Sequence, residues 1–183
     1  GVGQHQMWAA QYYVYKEPRT LVSSGGSGAM GYEVPGAMGA QVGQPDKVVW
    51  SIAGDGGFQM TMSEMATMVE NKIPAKIAII NNNFLGMVRQ WQDSFYDKSY
   101  VATGYTHNPD FTKLAEAFGC FGAKVTEKSQ VRSTIKAAMD YDGPAIVDFV
   151  VEEEENVYPF IPSGLTVHDM IEDPSYTSEE ALR

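Results

Sequence analysis

The sequence contains few of the residues on which several classes of protein depend. Of its 183 residues one is cysteine, Cys120, and three are histidine, so an internal disulfide is excluded and a zinc site of usual ligand spacing cannot be assembled. Lysine and arginine total 13 against 23 acidic residues, which gives a net charge of -10. Proteins that bind nucleic acid need clustered basic residues, so we expect no nucleic-acid partner.

Long hydrophobic runs are also absent. No apolar segment approaches the roughly 20 residues that a membrane-spanning helix requires, and no signal-peptide pattern opens the chain. Apolar residues make up 44% and charged residues 20% of the sequence, a balance typical of globular domains. We therefore expect a soluble α/β protein that resides in the cytoplasm and does not associate with membranes.

The sequence starts at Gly1 rather than at a methionine, and we expect it to be part of a longer protein. Its length suits one ordinary domain. We expect residues 1–170 to form that domain. The polar residues 171–183 have no evident packing partner and are predicted to form a poorly ordered tail.

Apolar segments alternate with helical patterns along the chain. Strands are predicted over 48–53, 76–80, 123–125 and 145–151, with a further short β-rich run at 20–24. Helices are predicted over 4–15, 31–43, 61–70, 86–95, 111–118 and 129–141. This alternation is typical of an open, mostly parallel sheet with helices on both faces.

One glycine-rich segment has the spacing of a dinucleotide-binding loop. Residues 26–31 fit G-x-G-x-x-G after a predicted strand, and Asp55 lies 24 residues beyond Gly31. Pro35 and Gly36 make a poor helix start for holding a pyrophosphate, and a ribose-binding acid does not need glycines on both sides. Dinucleotide binding therefore remains a less favoured alternative, beside a simple glycine turn that permits close helix–sheet packing.

A second pair of motifs points to a different ligand. Gly54-Asp55-Gly56 and Asn82 each follow an apolar strand, and Asn82 lies 27 residues after Asp55. A right-handed crossover would bring both side chains to the carboxyl edge of the sheet, where open α/β sheets bind ligands. Carboxylate and amide oxygens suit Mg²⁺ that also binds a diphosphate. The alternative is that the two motifs are unrelated turns. That interpretation has to explain why both follow a strand end at matched spacing.

GDG followed by NN resembles the thiamine diphosphate motif of thiamine-dependent enzymes. The chain as a whole resembles the large catalytic subunit of acetolactate synthase, also called acetohydroxyacid synthase, from Gly1 to about Asp173. The similarity corresponds to the C-terminal, diphosphate-binding domain, roughly the last third of a typical family member. Its most specific segments are VGQHQMWAAQ at 2–11, SGGSGAMGY at 24–32, GDGGFQMTMSE at 54–64, NNNFLGMVRQWQ at 81–92 and YPFIPSG at 158–164.

The resemblance implies a set of residues that hold thiamine diphosphate and its metal. Asp55 and Asn82 would bind Mg²⁺ through their side chains, and Phe84 would bind it through its backbone carbonyl. The Gly28 carbonyl would accept a hydrogen bond from the aminopyrimidine, while Met30 would keep the cofactor bent between its two rings. The full set of implied cofactor contacts is Val2, Gly3, Gln4, His5, Gly28, Met30, Gly54, Asp55, Gly56, Gly57, Met60 and Asn82.

The resemblance also implies residues that act on the substrate. Met30, Met87 and Trp91 would take part in catalysis, with Met87 and Trp91 lining one pocket. Trp91 matches the residue associated with preference for 2-ketobutyrate as second substrate. An apolar wall of this kind can favour one extra methylene by about 1–3 kcal/mol.

The implied reaction is the decarboxylation of pyruvate and the joining of its two-carbon unit to pyruvate or 2-ketobutyrate. The products would be acetolactate or acetohydroxybutyrate, early intermediates of branched-chain amino-acid biosynthesis. The implied partners are the N-terminal and central domains of a longer chain, a homodimer or tetramer, and a regulatory subunit. FAD would bind only in the central domain, and the 183 residues alone would be inactive.

Another thiamine diphosphate enzyme, of the pyruvate oxidase or 2-keto acid decarboxylase type, is the alternative function. GMVRQWQ at 86–92 favours acetolactate synthase over these enzymes.

Overall fold

A computed structural model describes residues 1–174 of the protein. Its centre is a sheet of four parallel strands in the order β1-β2-β4-β3. The strands are β1 (Trp50–Gly54), β2 (Lys76–Asn81), β3 (Phe121–Val125) and β4 (Ala145–Val150). The predicted α/β fold with a parallel sheet is therefore confirmed.

Seven α-helices accompany the sheet within the described residues. They are α1 (Gln4–Tyr12), α2 (Glu33–Gly43), α3 (Asp55–Thr61), α4 (Glu64–Glu70), α5 (Gly86–Phe95), α6 (Phe111–Phe118) and α7 (Val131–Asp140), with short 3₁₀ turns at Lys128–Gln130 and Val167–Asp169. In this part of the chain, no helix is long and apolar enough to cross a membrane.

Alternation along β4 divides the core between the two faces of the sheet. Ile146 packs with buried side chains of α2, α4 and α6, including Met65 and Phe111. Val147 points to the opposite face and packs with Ala138 of α7. Successive strand residues point to opposite faces, so a sheet covered by helices on both sides needs strands as continuously apolar as this one.

Helix α6 shows how local sequence sets an element's limits. The Asp110 carboxylate accepts hydrogen bonds from the amides of Thr112 and Lys113, each at 3.1 Å, and so caps the start of the helix. Gly119 ends it with φ of +77°, a left-handed conformation that glycine adopts readily. The helix consequently spans the residues that the sequence predicts.

The predicted strand at 20–24 is wrong. These residues form neither helix nor strand, and Leu21 and Val22 are exposed. A β-rich run becomes a strand only where another strand offers backbone partners, and the sheet lies elsewhere. The G-x-G-x-x-G segment therefore lacks the preceding strand that dinucleotide binding requires.

Other boundaries differ from the predicted ones by a few residues. Helix α1 ends at Tyr12 instead of residue 15, and the predicted helix at 61–70 begins at Glu64, after a separate helix α3 that starts at Asp55. In the predicted tail, Ile171 pairs with Phe160 through two backbone hydrogen bonds of 2.9 and 3.0 Å. Residues 175–183 of that tail lie outside the described residues.

Candidate functional site

The carboxyl ends of β1 and β2 bring the two predicted polar motifs to one edge of the sheet. The strands pair in parallel, with Gly54 opposite Ile80. Asp55 follows β1 directly and Asn82 follows β2 directly. Both motifs thus lie at the carboxyl edge of the sheet, as the sequence predicts, and they follow two strands that are direct neighbours.

Asp55 is buried, with 1% of its surface exposed. Burial raises the pKa of its carboxyl group to about 6, against the opposing effect of hydrogen bonds from Asn108 and from the Gly56 amide. The Asn108 amide donates to Oδ2 of Asp55 at 2.7 Å. A buried carboxylate held by neutral hydrogen-bond donors is a favourable ligand for a metal ion.

The Asn82 side chain is also buried, and its hydrogen bonds fix the orientation of its amide group. Its Nδ2 donates to Oε1 of Gln4 at 3.0 Å, and its Oδ1 accepts from the Phe84 amide at 3.2 Å. The backbone around Phe84 is held by an antiparallel bridge to Gly104, through which Leu85 donates to the Thr103 carbonyl at 2.7 Å. The two oxygens predicted to bind metal on this side therefore belong to one fixed loop.

Glycines let the His5 ring approach the backbone closely. A Cβ on Gly54 would lie 2.8 Å from Cε1 of His5, and one on Gly3, whose φ is +149°, would lie 2.9 Å from it. Burial lowers the pKa of His5 to about 3, so the ring is neutral. Its buried Nε2 has no hydrogen-bond partner among the described residues. Such an unpartnered nitrogen can serve a ligand that supplies the missing partner.

Gly56 and Gly57, next to Asp55, let four side chains approach the backbone closely. A Cβ on Gly56 would lie 2.8 Å from Leu85 Cδ2 and 3.1 Å from Met30 Cε, and it would collide with the Tyr105 hydroxyl. The Met30 side chain thus reaches the start of α3. A Cβ on Gly57 would collide with the Glu33 carboxyl group.

The remaining predicted cofactor contacts lie at the periphery. Gly28 has φ of +64° in an exposed turn, where its amide donates to the Ser24 carbonyl at 2.9 Å. Met60 is exposed on α3, and half-buried Val2 precedes α1.

Trp91 lies on α5 with 48% of its surface exposed. Its ring makes an edge contact with Phe95 at a centroid distance of 6.4 Å. It lines a groove together with Val88, Gln92, Tyr96 and Ser99. Met87 occupies the first turn of α5 and is half-buried, but it is not one of the residues that line this groove.

The donor set at the sheet edge fits a hard divalent cation. It offers a carboxylate from Asp55, an amide oxygen from Asn82 and a backbone carbonyl from Phe84, the oxygen ligands that Mg²⁺ prefers. Within residues 1–174 no three His, Cys, Asp or Glu side chains gather as a metal site, so a metal here would depend on this mixed set. The backbone around Asp55 carries no side chain at Gly54, Gly56 and Gly57, as expected where other groups approach the main chain closely.

Four further residues at the site were not found from the sequence. Asn108 and Tyr105 come from the loop before α6, Gln90 from α5 and Glu33 from the start of α2. Both Glu33 carboxyl oxygens are buried without a hydrogen-bond partner in the described part of the chain, and burial raises the pKa of this group. Asn108 precedes Pro109 and has only the sequence signature of a turn. No local sequence pattern indicates that Glu33, two residues before a proline, is buried.

Comparisons with known proteins bear on this geometry. Residues 1–149 match the family model described as thiamine pyrophosphate enzyme, C-terminal TPP binding domain. The chain is 47% identical over 175 residues to a Corynebacterium glutamicum protein named acetolactate synthase large subunit, covering 93% of this chain and 28% of that protein. It is 43% identical over 171 residues to the acetolactate synthase isozyme 2 large subunit of Escherichia coli K12, covering 93% and 31% respectively.

A plant protein gives a similar result. Acetolactate synthase 2, chloroplastic, of Nicotiana tabacum is 47% identical over 178 residues, which are 93% of this chain and 27% of that protein. The chain thus spans less than a third of the length of each of these relatives.

Proposed function

Since this chain belongs to the thiamine pyrophosphate enzymes, through their C-terminal TPP-binding domain, we propose that it is the cofactor-binding part of an acetolactate synthase. The observation that carries the proposal is the pair of Asp55 and Asn82 at the carboxyl edge of adjacent parallel strands. The names of the relatives support the choice of reaction within the family.

In this proposal Asp55, Asn82 and the Phe84 carbonyl hold Mg²⁺, and the metal binds the diphosphate. His5 lies against Gly54, next to Asp55, and we propose that His5, Gly56 and Gly57 lie against the diphosphate. His5 is neutral, so its contribution is a hydrogen bond or close packing and not a positive charge. The negative charge of the diphosphate is then balanced by the metal.

Met30 extends from the 24–31 segment to the space above Gly56, where it would pack against the cofactor rings. Thiamine diphosphate supplies the carbon that adds to a 2-keto acid and takes up the electron pair released by decarboxylation. Met30 and Leu85 exclude water from the apolar side of this space. Trp91 borders an exposed groove on α5, and we propose that this groove accepts the second keto acid.

The proposed substrates are pyruvate and 2-ketobutyrate, and the proposed products are acetolactate and acetohydroxybutyrate. The remaining domains of a longer chain, a second catalytic subunit and a regulatory subunit are the proposed partners, and FAD is assigned to no residue of this chain. A cytoplasmic location stays a prediction. Among the relatives, the tobacco protein is named chloroplastic and one from Aspergillus candidus mitochondrial.

The experiment is the formation of acetolactate from pyruvate by the natural protein that contains these residues, with thiamine diphosphate and Mg²⁺ added. We expect activity that requires both and is lost in Asp55→Ala. Release of acetaldehyde without acetolactate would instead favour a decarboxylase, and oxygen-dependent acetyl phosphate or acetate would favour a pyruvate oxidase. Calorimetry with NAD tests the dinucleotide alternative, for which we expect no binding.

A further inference from the structure

Three buried side-chain amides form a continuous line from the C-terminal segment to Asn82. Gln90 Nε2 donates to the Val157 carbonyl at 3.0 Å, and its Oε1 accepts from the Val157 amide at 2.9 Å. Gln4 Nε2 donates to the same Gln90 oxygen at 2.9 Å and to the Glu155 carbonyl at 3.0 Å. Gln4 Oε1 then accepts from Asn82 Nδ2 at 3.0 Å.

The direction of each amide in this line is fixed by the one before it. The backbone of Val157 presents one donor and one acceptor, so reversing Gln90 would place N–H against N–H and oxygen against oxygen. With Gln90 so oriented, Gln4 has to present its nitrogen to Gln90 and its oxygen to Asn82. Asn82 in turn has to present its nitrogen to Gln4.

This fixed orientation determines which atom lies at the other end of the Asn82 amide group. With its Nδ2 committed to Gln4, its Oδ1 accepts from the Phe84 amide and is the side-chain atom left to bind the proposed metal. A reversed Asn82 would offer a cation two N–H hydrogens in place of an oxygen. Reversal would also leave buried polar groups unpaired, and such groups cost free energy.

We propose that Gln90 is a positioning residue that, through Gln4, sets the Asn82 amide with its oxygen toward the metal. The inference rests on the proposed function, because it concerns the same Mg²⁺ site. Gln90 is 2% exposed and lies on α5, so it acts without touching the metal. The line also makes metal affinity depend on the segment at 155–157, which lies far from Asp55 in sequence.

The test measures Mn²⁺, as a substitute for Mg²⁺, by its electron paramagnetic resonance signal in the presence of thiamine diphosphate, using the natural protein that contains these residues. We expect Gln90→Met to weaken Mn²⁺ affinity by about tenfold, since loss of outer-shell partners typically costs about 10–100-fold. The matched control is Gln41→Met. Gln41 is 3% exposed and donates to the Gln44 and Lys47 carbonyls at the end of α2, and its loss should leave Mn²⁺ affinity unchanged.

Repeating the Gln90→Met change in the Asn82→Asp variant separates loss of amide orientation from general disruption of the structure. The two oxygens of a carboxylate are equivalent, so in Asn82→Asp there is no amide direction to set. Gln90→Met should then change Mn²⁺ affinity less than about threefold.

The positioning role would be overturned if Gln90→Met weakened Mn²⁺ affinity equally in the unmodified protein and in the Asn82→Asp variant. It would also be overturned if Gln90→Met did not weaken Mn²⁺ affinity in the unmodified protein. If the unmodified protein bound no Mn²⁺ with thiamine diphosphate, the proposed function would fail, and the inference with it. Binding by the unmodified protein together with an unaffected Gln90→Met variant would refute the inference alone.

Discussion

Asn108 and Asp55 are joined by a 2.7 Å hydrogen bond from the asparagine amide to the carboxylate, although 53 residues separate them in sequence. The same nitrogen lies 2.9 Å from Oδ1 of Asn83 and 3.2 Å from Oδ1 of Asn81. The side-chain oxygen of Asn108 accepts a hydrogen bond from Gln59 at 3.0 Å. One asparagine from the loop before α6 thus joins the ends of β1 and β2.

Replacing Asn108 should therefore weaken the proposed metal site. In Asn108→Ala the Asp55 carboxylate loses its side-chain donor and becomes freer to rotate, so we expect Mn²⁺ affinity to fall by about tenfold. Asn71→Ala is the control, because Asn71 is exposed and its side chain donates to the Thr67 carbonyl, away from Asp55. Titration of both variants with Mn²⁺ in the presence of thiamine diphosphate distinguishes them. Equal affinities would show that Asn108 has no part in the site.

Gly56→Ala should abolish or greatly reduce cofactor binding. The added methyl group would lie 2.8 Å from Leu85 Cδ2 and 3.1 Å from Met30 Cε, and it would overlap the Tyr105 hydroxyl. These groups would have to move into the space proposed for the cofactor. Quenching of intrinsic fluorescence by thiamine diphosphate measures the loss. Unchanged affinity would place the cofactor elsewhere.

Gly39→Ala provides the opposite expectation. Gly39 is exposed in the middle of α2, and a Cβ there would have no neighbour within 4 Å. Alanine has a higher helix propensity, so the free energy of unfolding should rise by about 0.5–1 kcal/mol. Urea denaturation measures this change, and cofactor affinity should stay the same. A destabilised variant would mean that α2 is not a regular helix at this position.

Because His5 resists protonation in the folded state, the cofactor-free protein should become less stable in mild acid. Burial lowers the pKa of His5 from 6.5 to about 3. As the pH falls from 6.5 toward 3, the unfolded chain takes up a proton that the folded protein does not. The free energy of unfolding should therefore fall by up to about 1.4 kcal/mol per pH unit from this residue.

The His5→Gln variant isolates that contribution. It should show a shallower decline in unfolding free energy between pH 6.5 and 4 than the unmodified protein, as measured by urea denaturation at each pH. His107→Gln, a change at an exposed histidine, controls for the loss of a histidine at the surface. Parallel pH profiles for His5→Gln and the unmodified protein would contradict a buried, neutral His5.

Trp91→Leu should lower the preference for 2-ketobutyrate. The indole forms one side of the groove on α5, and a smaller side chain would leave the extra methylene of 2-ketobutyrate with less apolar contact. We expect the ratio of acetohydroxybutyrate to acetolactate, with both keto acids present, to fall by about tenfold. Trp91 is half exposed, so the melting temperature should change little. An unaltered product ratio would show that this groove does not bind the second substrate.

The parts of the fold that could be predicted are those with a local cause. The strands at 76–80 and 145–151 are continuously apolar because both faces of the sheet are covered. Helix α6 carries its own cap and its own terminating glycine. The run at 20–24 has strand propensity but no partner, and propensity alone misled the prediction there.

The sequence by itself determined that Asp55 and Asn82 leave neighbouring parallel strands at one edge, because apolar periodicity and crossover handedness are local and general rules. Only the tertiary structure decided what holds them there. Asn108 reaches Asp55 from a loop, and Gln90 reaches Gln4 across 86 residues. Hydrogen bonds between distant buried groups depend on how whole elements pack, and no spacing along the chain records them.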